Sequence, residues 1–142
     1  MSKNLKAVIG TNVWISGLVF GGNPEIILKL FIEGKIIVIV SEEIISELRR
    51  IITDKIPLFK PKLDLLEASI RKDAILVPLG NHTVTASRDP DDNKIIETGV
   101  SGNTTHIISG DDDLLTLKKY ETIDIIKPTV FLTIYNQSQN KK

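Results

Sequence analysis

Acidic side chains gather at a few points of this sequence, close to short apolar segments. The run Arg88–Asn93 reads RDPDDN, and a second run, Asp111–Asp113, follows the apolar segment HIIS. A further acid, Glu47, lies in the segment SEEIISELRRII, beside Ile44 and Ile51 at helical spacing. Carboxylates that converge in a low dielectric repel one another, so a fold that gathers them favours a bound cation. Oxygen ligands without cysteine or clustered histidine indicate Mg²⁺ or Mn²⁺.

Each of these acids also has a purely structural interpretation. Asp89 is a good N-cap for a helix, and Asp92 three residues later completes a pattern like a capping box. Asp111 or Asp112 can cap the helix that contains DLLTLKK. Glu47 is equally well explained as a solvated residue at the edge of an apolar stripe. The single positions leave both interpretations open, and only the joint pattern favours a cation site.

Short apolar strands alternate with helical segments along the chain, which predicts an α/β fold with a mostly parallel sheet. The five predicted strands lie in the segments LKAVI, IIVIV, ILVPL, HIIS and IDII. Because strands that are apolar on both sides need helices over both faces, we expect the ligand site beyond their carboxyl ends. We expect one domain over residues 1–135 and a disordered polar tail over residues 136–142.

Composition excludes several classes of function. The chain has 142 residues, with 18 basic and 18 acidic side chains, which argues against a strongly basic nucleic-acid coat protein. It has no cysteine, so disulfides and thiolate zinc sites are excluded. The apolar runs are too short for a membrane span and the N-terminus lacks a signal-peptide core, so we expect a cytoplasmic protein.

Nucleotide-binding loops are not indicated. The segment GTNVWISG lacks the Gly-Lys-Ser/Thr ending of a Walker loop, and no Gly-x-Gly-x-x-Gly turn follows the first strand.

Segments distributed along the chain resemble the PIN-domain family. They are AVIGTNVWISGL, SEEIISELRRII, SRDPDDNKIIETGVSG and HIISGDDDLLTL, and the resemblance extends from Leu5 to Leu132. It is closest to small prokaryotic members that are toxins of VapBC-like toxin–antitoxin pairs. The resemblance implies a parallel three-layer α/β/α sandwich and a Mg²⁺- or Mn²⁺-dependent nuclease that acts on RNA.

The acids of the family motif map onto Glu47, Asp92 and Asp111 in this sequence. The resemblance therefore implies that these three carboxylates hold the ion and orient water. Asp113 is a neighbouring acid that assists as a ligand, whereas Asp89 is closer to a helix cap than to a ligand in that pattern.

One position departs from the family pattern, which has Asp at the end of the first strand where this sequence has Gly10. The next residues, Thr11 and Asn12, match the polar pair that shapes the pocket, and with Arg88 they are candidates to contact the scissile phosphate. Because the missing Asp would touch the metal directly, we expect weak metal binding and little or no cleavage.

Two functions from different classes remain open. The first is an endoribonuclease impaired by Gly10, with RNA guided along a basic rim formed by Arg49, Arg50, Lys55, Lys60 and Lys62. These residues have an ordinary solvated surface as their simpler interpretation. The second is a non-catalytic module that binds RNA or a small antitoxin protein. The segment VWISGLVF is a candidate groove wall or homodimer face, or else part of the core.

Overall fold

Strands and helices alternate through residues 5–80 and 83–140, the part of the chain that the computed structural model describes. The strands in these ranges are β1 (Lys6–Ile9), β2 (Ile37–Val40), β3 (Ile75–Leu76), β4 (His106–Ile108), β5 (Lys119–Tyr120) and β6 (Ile123–Ile126). The helices are α1 (Thr11–Val19), α2 (Gly22–Ile32), α3 (Glu42–Lys55), α4 (Lys60–Asp73), α5 (Pro90–Ser101), α6 (Asp112–Leu115) and α7 (Pro128–Asn140). A 3₁₀ turn, Pro57–Phe59, joins α3 to α4.

The strands form one sheet in the order β3-β2-β1-β4-β6-β5. Every neighbouring pair is parallel except β5 with β6. In β1, consecutive residues Ala7, Val8 and Ile9 are all fully buried, and successive side chains of a strand point to opposite faces. Both faces of the sheet are therefore covered by helices, which confirms the predicted α/β/α sandwich.

Sheet pairing places the ends of β1 and β4 side by side. Ile9 is the register partner of Ile108, and the Gly10 amide donates a hydrogen bond of 2.8 Å to the Ile108 carbonyl. Residues that follow these two central strands are therefore neighbours in space, although about a hundred positions separate them in sequence.

The predicted number of strands was wrong, because the described sheet has six strands instead of five. The missed strand, β5, contains only two residues and pairs antiparallel with β6 through a tight turn in which Glu121 has φ 53°. A segment of two residues is too short to show a hydrophobic period, and this segment becomes a strand only because it pairs with β6.

The predicted disordered tail was also wrong for residues 136–140, which continue α7 to Asn140. Phe131 anchors this helix because it is fully buried and its ring packs edge-on against His106, with centroids 6.1 Å apart. Helix propagation from an anchored turn costs little, so polar residues extend it. Residues 141–142 of the predicted tail lie outside the described residues.

The segment VWISGLVF contributes mainly to the core. Trp14 is fully buried and packs edge-on against Phe31, with ring centroids 5.8 Å apart. Phe20 is the exception, since it is 80% exposed.

Ion pairs join α3 to α4. Arg49 donates to Glu67 at 2.6 and 2.9 Å and to Asp64 at 2.8 Å, and Arg71 bridges Glu67 to Glu42. Arg49 is thus occupied by carboxylates of the neighbouring helix, which removes it from the basic rim considered above.

No single helix in residues 5–80 and 83–140 has the length and apolarity to cross a membrane. Helices α1 and α2 reach that length and apolarity together, but they are bent by 99° relative to each other.

We predict that Arg49→Ala lowers the free energy of unfolding by about 1 kcal/mol, because it removes a multidentate ion pair between two helices. The matched variant is Arg50→Ala, since Arg50 is more exposed and lies 4.0 Å from its partner Glu47. Arg50→Ala is expected to change stability by less than about 0.5 kcal/mol. Urea denaturation at low and high salt measures both variants, and equal effects of the two would contradict the assignment.

Candidate metal centre

A cavity of about 170 Å³ opens at the carboxyl ends of β1 and β4. Its walls come from the segments that follow these strands and from α3 and α5. They include six of the residues predicted to belong to the site: Gly10, Thr11, Asn12, Glu47, Asp92 and Asp111. The structure thus brings Glu47, Asp92 and Asp111 to one cavity, as the edge of a parallel sheet predicts.

The tightest carboxylate group in the described residues consists of Asp89, Asp92 and Asp111. Each offers one oxygen, and these oxygens lie within 4.8 Å of one another. Asp92 is 4% exposed, and the other two are half-buried. Asp89, which was interpreted as a helix cap and not as a ligand, therefore lies where a ligand would be.

Asp89 and Asp111 both cap helices as well as facing the cavity. Asp89 accepts a hydrogen bond of 2.9 Å from the Asp91 amide at the start of α5, and Asp111 accepts one of 3.1 Å from the Asp113 amide at the start of α6. In each case a single oxygen, Oδ1, accepts the bond, and a carboxylate has two oxygens. Capping and cation binding are therefore compatible in the same side chain.

Among the described acids of the cavity, Asp92 has the most strongly raised pKa. Burial, followed by the nearby Asp111 carboxylate, raises the pKa of Asp92 to about 7. The Ser87 hydroxyl, which donates a hydrogen bond of 3.2 Å to Asp92 Oδ2, opposes this effect. A cation at this point would reverse the balance by favouring the ionised form.

Glu47 lies on α3 and lines the same cavity, but it is not part of the group formed by Asp89, Asp92 and Asp111. Thr11 donates a hydrogen bond of 2.5 Å to Glu47 Oε1. Burial raises the pKa of Glu47, the Thr11 hydroxyl lowers it, and the neighbouring Asp91 raises it further. Thr11, predicted to contact substrate, instead directs its hydroxyl to Glu47.

The remaining predicted residues lie at the margin of the site. Asn12 is exposed and lines the cavity. Asp113 is not among the described residues that line it, and its carboxylate accepts a hydrogen bond of 3.3 Å from Arg88. Arg88 has a side chain that is 88% exposed to solvent. The structure leaves the metal-binding role of Asp113 a prediction.

Gly10 forms part of the cavity wall, and its backbone does not require glycine. Its φ of −64° and ψ of 153° are extended values that any residue adopts. A Cβ atom at this position would lie 3.1 Å from the Ile108 carbonyl oxygen. A side chain at position 10 therefore requires the backbone of β4 at Ile108 to shift by a few tenths of an ångström.

The donor set suits a hard divalent cation. All candidate ligands are carboxylate oxygens, which Mg²⁺ and Mn²⁺ prefer. Two oxygens bound to one such ion lie about 3–4 Å apart. The three aspartate oxygens of the cavity, which lie within 4.8 Å of one another, are close to this range.

We predict that Asp92→Asn stabilises the metal-free protein at pH 8 by on the order of 2 kcal/mol and has little effect at pH 4. Asp92 ionises near about 3.9 in the unfolded chain, and its pKa is about 7 in the folded protein. The folded state therefore binds the extra proton between these values, and stability falls as the pH rises through this window.

Thermal unfolding in EDTA across this pH range measures the effect, with the exposed Asp54→Asn as the charge-matched control. Parallel pH profiles for wild type and Asp92→Asn would contradict it.

Comparison with known proteins assigns the chain to a family. A family model described as PIN domain matches residues 6–113, which include the acids of the cavity. No curated protein matches the chain in sequence. PIN domains are generally metal-dependent nucleases, and the acidic cavity agrees with that chemistry. Because the match covers most of its length, the chain belongs to the PIN-domain family.

Proposed function

We propose that the protein is a metal-dependent endoribonuclease of the VapC-like toxin type, acting in the cytoplasm, and that Gly10 impairs it. The convergence of Asp89, Asp92 and Asp111 in one cavity of a PIN domain carries this proposal. Carboxylates at this density are costly unless a cation offsets their charge.

Each residue has a definite role in the proposed reaction. Asp92 and Asp111 would hold the ion, and Asp89 and Glu47, which line the same cavity, are the further candidate ligands. When bound, Mg²⁺ or Mn²⁺ supplies a water of lowered pKa and neutralises the charge of the phosphate. Thr11 keeps the Glu47 carboxylate directed into the cavity.

In this proposal, Asn12 and Arg88 bind the scissile phosphate. Asn12 lines the cavity with a neutral amide, and Arg88 extends from the loop that carries Asp89. In the free protein Arg88 is paired with Asp113. Exchange of this partner for a phosphate would release the Asp113 carboxylate toward the ion, which is how Asp113 would assist.

A larger cleft supports an extended substrate such as RNA. This cavity of about 420 Å³ shares Glu47 and Asp91 with the acidic cavity, and Arg50 and Lys94 line it. Both cations pair only at long distance in the described residues, Arg50 with Glu47 at 4.0 Å and Lys94 with Asp91 at 3.8 Å. An RNA backbone lying in this cleft would meet these two cations beside the cutting site, within a lining that also carries the Glu42 and Glu43 carboxylates.

We predict that Gly10→Asp tightens Mn²⁺ binding by at least about tenfold and restores RNA cleavage. The substitution adds a carboxylate to the cavity wall at a position whose backbone accepts it. The matched control is Gly10→Asn, which has nearly the same shape without the charge. Calorimetric titration with Mn²⁺ and cleavage of a labelled RNA measure the two effects.

Gly10→Asp is also expected to lower the melting temperature of the metal-free protein at pH 8, because it adds a like charge. If Gly10→Asp binds no more Mn²⁺ than Gly10→Asn, the account of position 10 is wrong. If no variant binds a divalent ion, the nuclease proposal fails.

The second candidate function is a non-catalytic module that binds RNA or a protein partner such as a small antitoxin. One specific observation favours the protein partner. An apolar cavity of about 250 Å³ lies between α1, α2 and α4, lined by Leu18, Leu28, Ile32, Leu65 and Leu66 among others. Leu65 is 74% exposed and Ile32 is 53% exposed. Such a groove fits the apolar face of a partner helix, from an antitoxin or from a second copy in a homodimer.

We predict that the wild-type chain sediments as a dimer and that Leu65→Glu sediments as a monomer, because a buried charge opposes an apolar interface. Leu58→Glu is the matched control, since Leu58 is also exposed but lies outside this groove. Sedimentation of wild type as a monomer would exclude the homodimer. Binding of the product of an adjacent short reading frame, lost in Leu65→Glu only, would support the antitoxin.

A further inference from the structure

We propose that Asn93 and Ser87 are positioning residues that hold two of the three clustered carboxylates in place. This inference rests on the proposed metal site, which it deepens. Neither residue belongs to the aspartate cluster of the described residues, and both act through the loop that precedes α5.

The Asn93 side chain clamps the main chain of Ser87. Its Oδ1 accepts a hydrogen bond of 2.8 Å from the Ser87 amide, and its Nδ2 donates one of 2.8 Å to the Ser87 carbonyl. A carboxamide offers a donor and an acceptor side by side, so it satisfies both main-chain groups of one residue. The clamp therefore fixes the last part of the loop onto the first turn of α5.

The Ser87 hydroxyl then connects the two acids. It donates a hydrogen bond of 3.2 Å to Asp92 Oδ2 and accepts one of 3.2 Å from the Asp89 amide. Ser87 is buried, so its hydroxyl is directed inward and is shielded from competing water. One side chain thus links the backbone of Asp89 to the carboxylate of Asp92.

These contacts matter because the two carboxylates are held by different kinds of structure. Asp92 lies within α5, whereas Asp89 precedes the helix at the end of a segment with no regular secondary structure in its described part. Without the clamp, Asp89 would keep its capping bond to Asp91 and the bond from the Asn93 amide to its carbonyl, but it would lose its connection to Ser87. Repulsion between the acids would then move it away from the cavity. Fixed supports of this kind commonly decide metal affinity.

The test compares Mn²⁺ binding by the full chain carrying Asn93→Ala or Ser87→Ala. We expect the dissociation constant to rise about 10–100-fold in both variants. Ser87→Thr keeps the hydroxyl and is expected to stay within about threefold of wild type. The matched control is Ser101→Ala in the same helix, because the Ser101 hydroxyl is buried without a hydrogen-bond partner in the described residues. This control is expected to bind Mn²⁺ like wild type.

A second measurement does not depend on metal. In EDTA, the Ser87 and Asp89 amides of Asn93→Ala are expected to exchange hydrogen at least about tenfold faster than those of wild type. In Ser87→Ala, the same increase is expected at the Asp89 amide. Ser101→Ala is expected to leave both rates unchanged. If Gly10 weakens Mn²⁺ binding below detection, the variants are placed in the Gly10→Asp background.

The outcomes separate the two proposals. Weakened Mn²⁺ binding in Ser87→Ala, rescued in Ser87→Thr, supports positioning. Unchanged binding and unchanged exchange in folded Ser87→Ala and Asn93→Ala overturn it, even if the protein is a metal-dependent nuclease. Absence of Mn²⁺ binding in every background overturns the proposed function. Faster amide exchange in the variants would then show that the clamp orders the loop before α5 and has no role in metal binding.

Discussion

Repulsion between carboxylates at one edge of the sheet is the constraint on which the site depends. Burial, followed by the nearby Asp111 carboxylate, raises the pKa of Asp92 in the folded protein to about 7. A fold pays for such a cluster in stability, and a divalent cation offsets this cost by binding the ionised form. Burial and charge therefore point to the same ligand class as the family assignment, although they are independent of it.

The sheet produces this convergence by simple geometry. Parallel pairing of β1 with β4 places the segments after both strands at the same edge, and α5 brings Asp92 to them. Helix starts then orient the acids, because Asp89 and Asp111 each use one oxygen to cap a helix. The N-terminal ends of helices also carry partial positive charge, which partly offsets the repulsion.

Much of this arrangement could be predicted from the sequence. Strands apolar on both faces indicated a covered parallel sheet, and the placement of acids near their ends indicated the cavity. Strand β5 and the end of α7 could not be predicted, because pairing with β6 and burial of Phe131 create them. Asp89 was interpreted as a helix cap, which the structure confirms, and its second role as a candidate ligand was not considered because capping and ligand binding were treated as alternatives. Arg49 was considered for a basic rim or an ordinary solvated surface, because local sequence patterns do not show ion pairing between helices α3 and α4.

Anomalous diffraction from a crystal soaked in Mn²⁺ tests the central claim most directly. The account predicts one anomalous peak in the cavity beyond β1 and β4, within about 2.5 Å of carboxylate oxygens from Asp92 and Asp111. A peak at another surface, or a cavity without a peak at a Mn²⁺ concentration that saturates binding in solution, would contradict it.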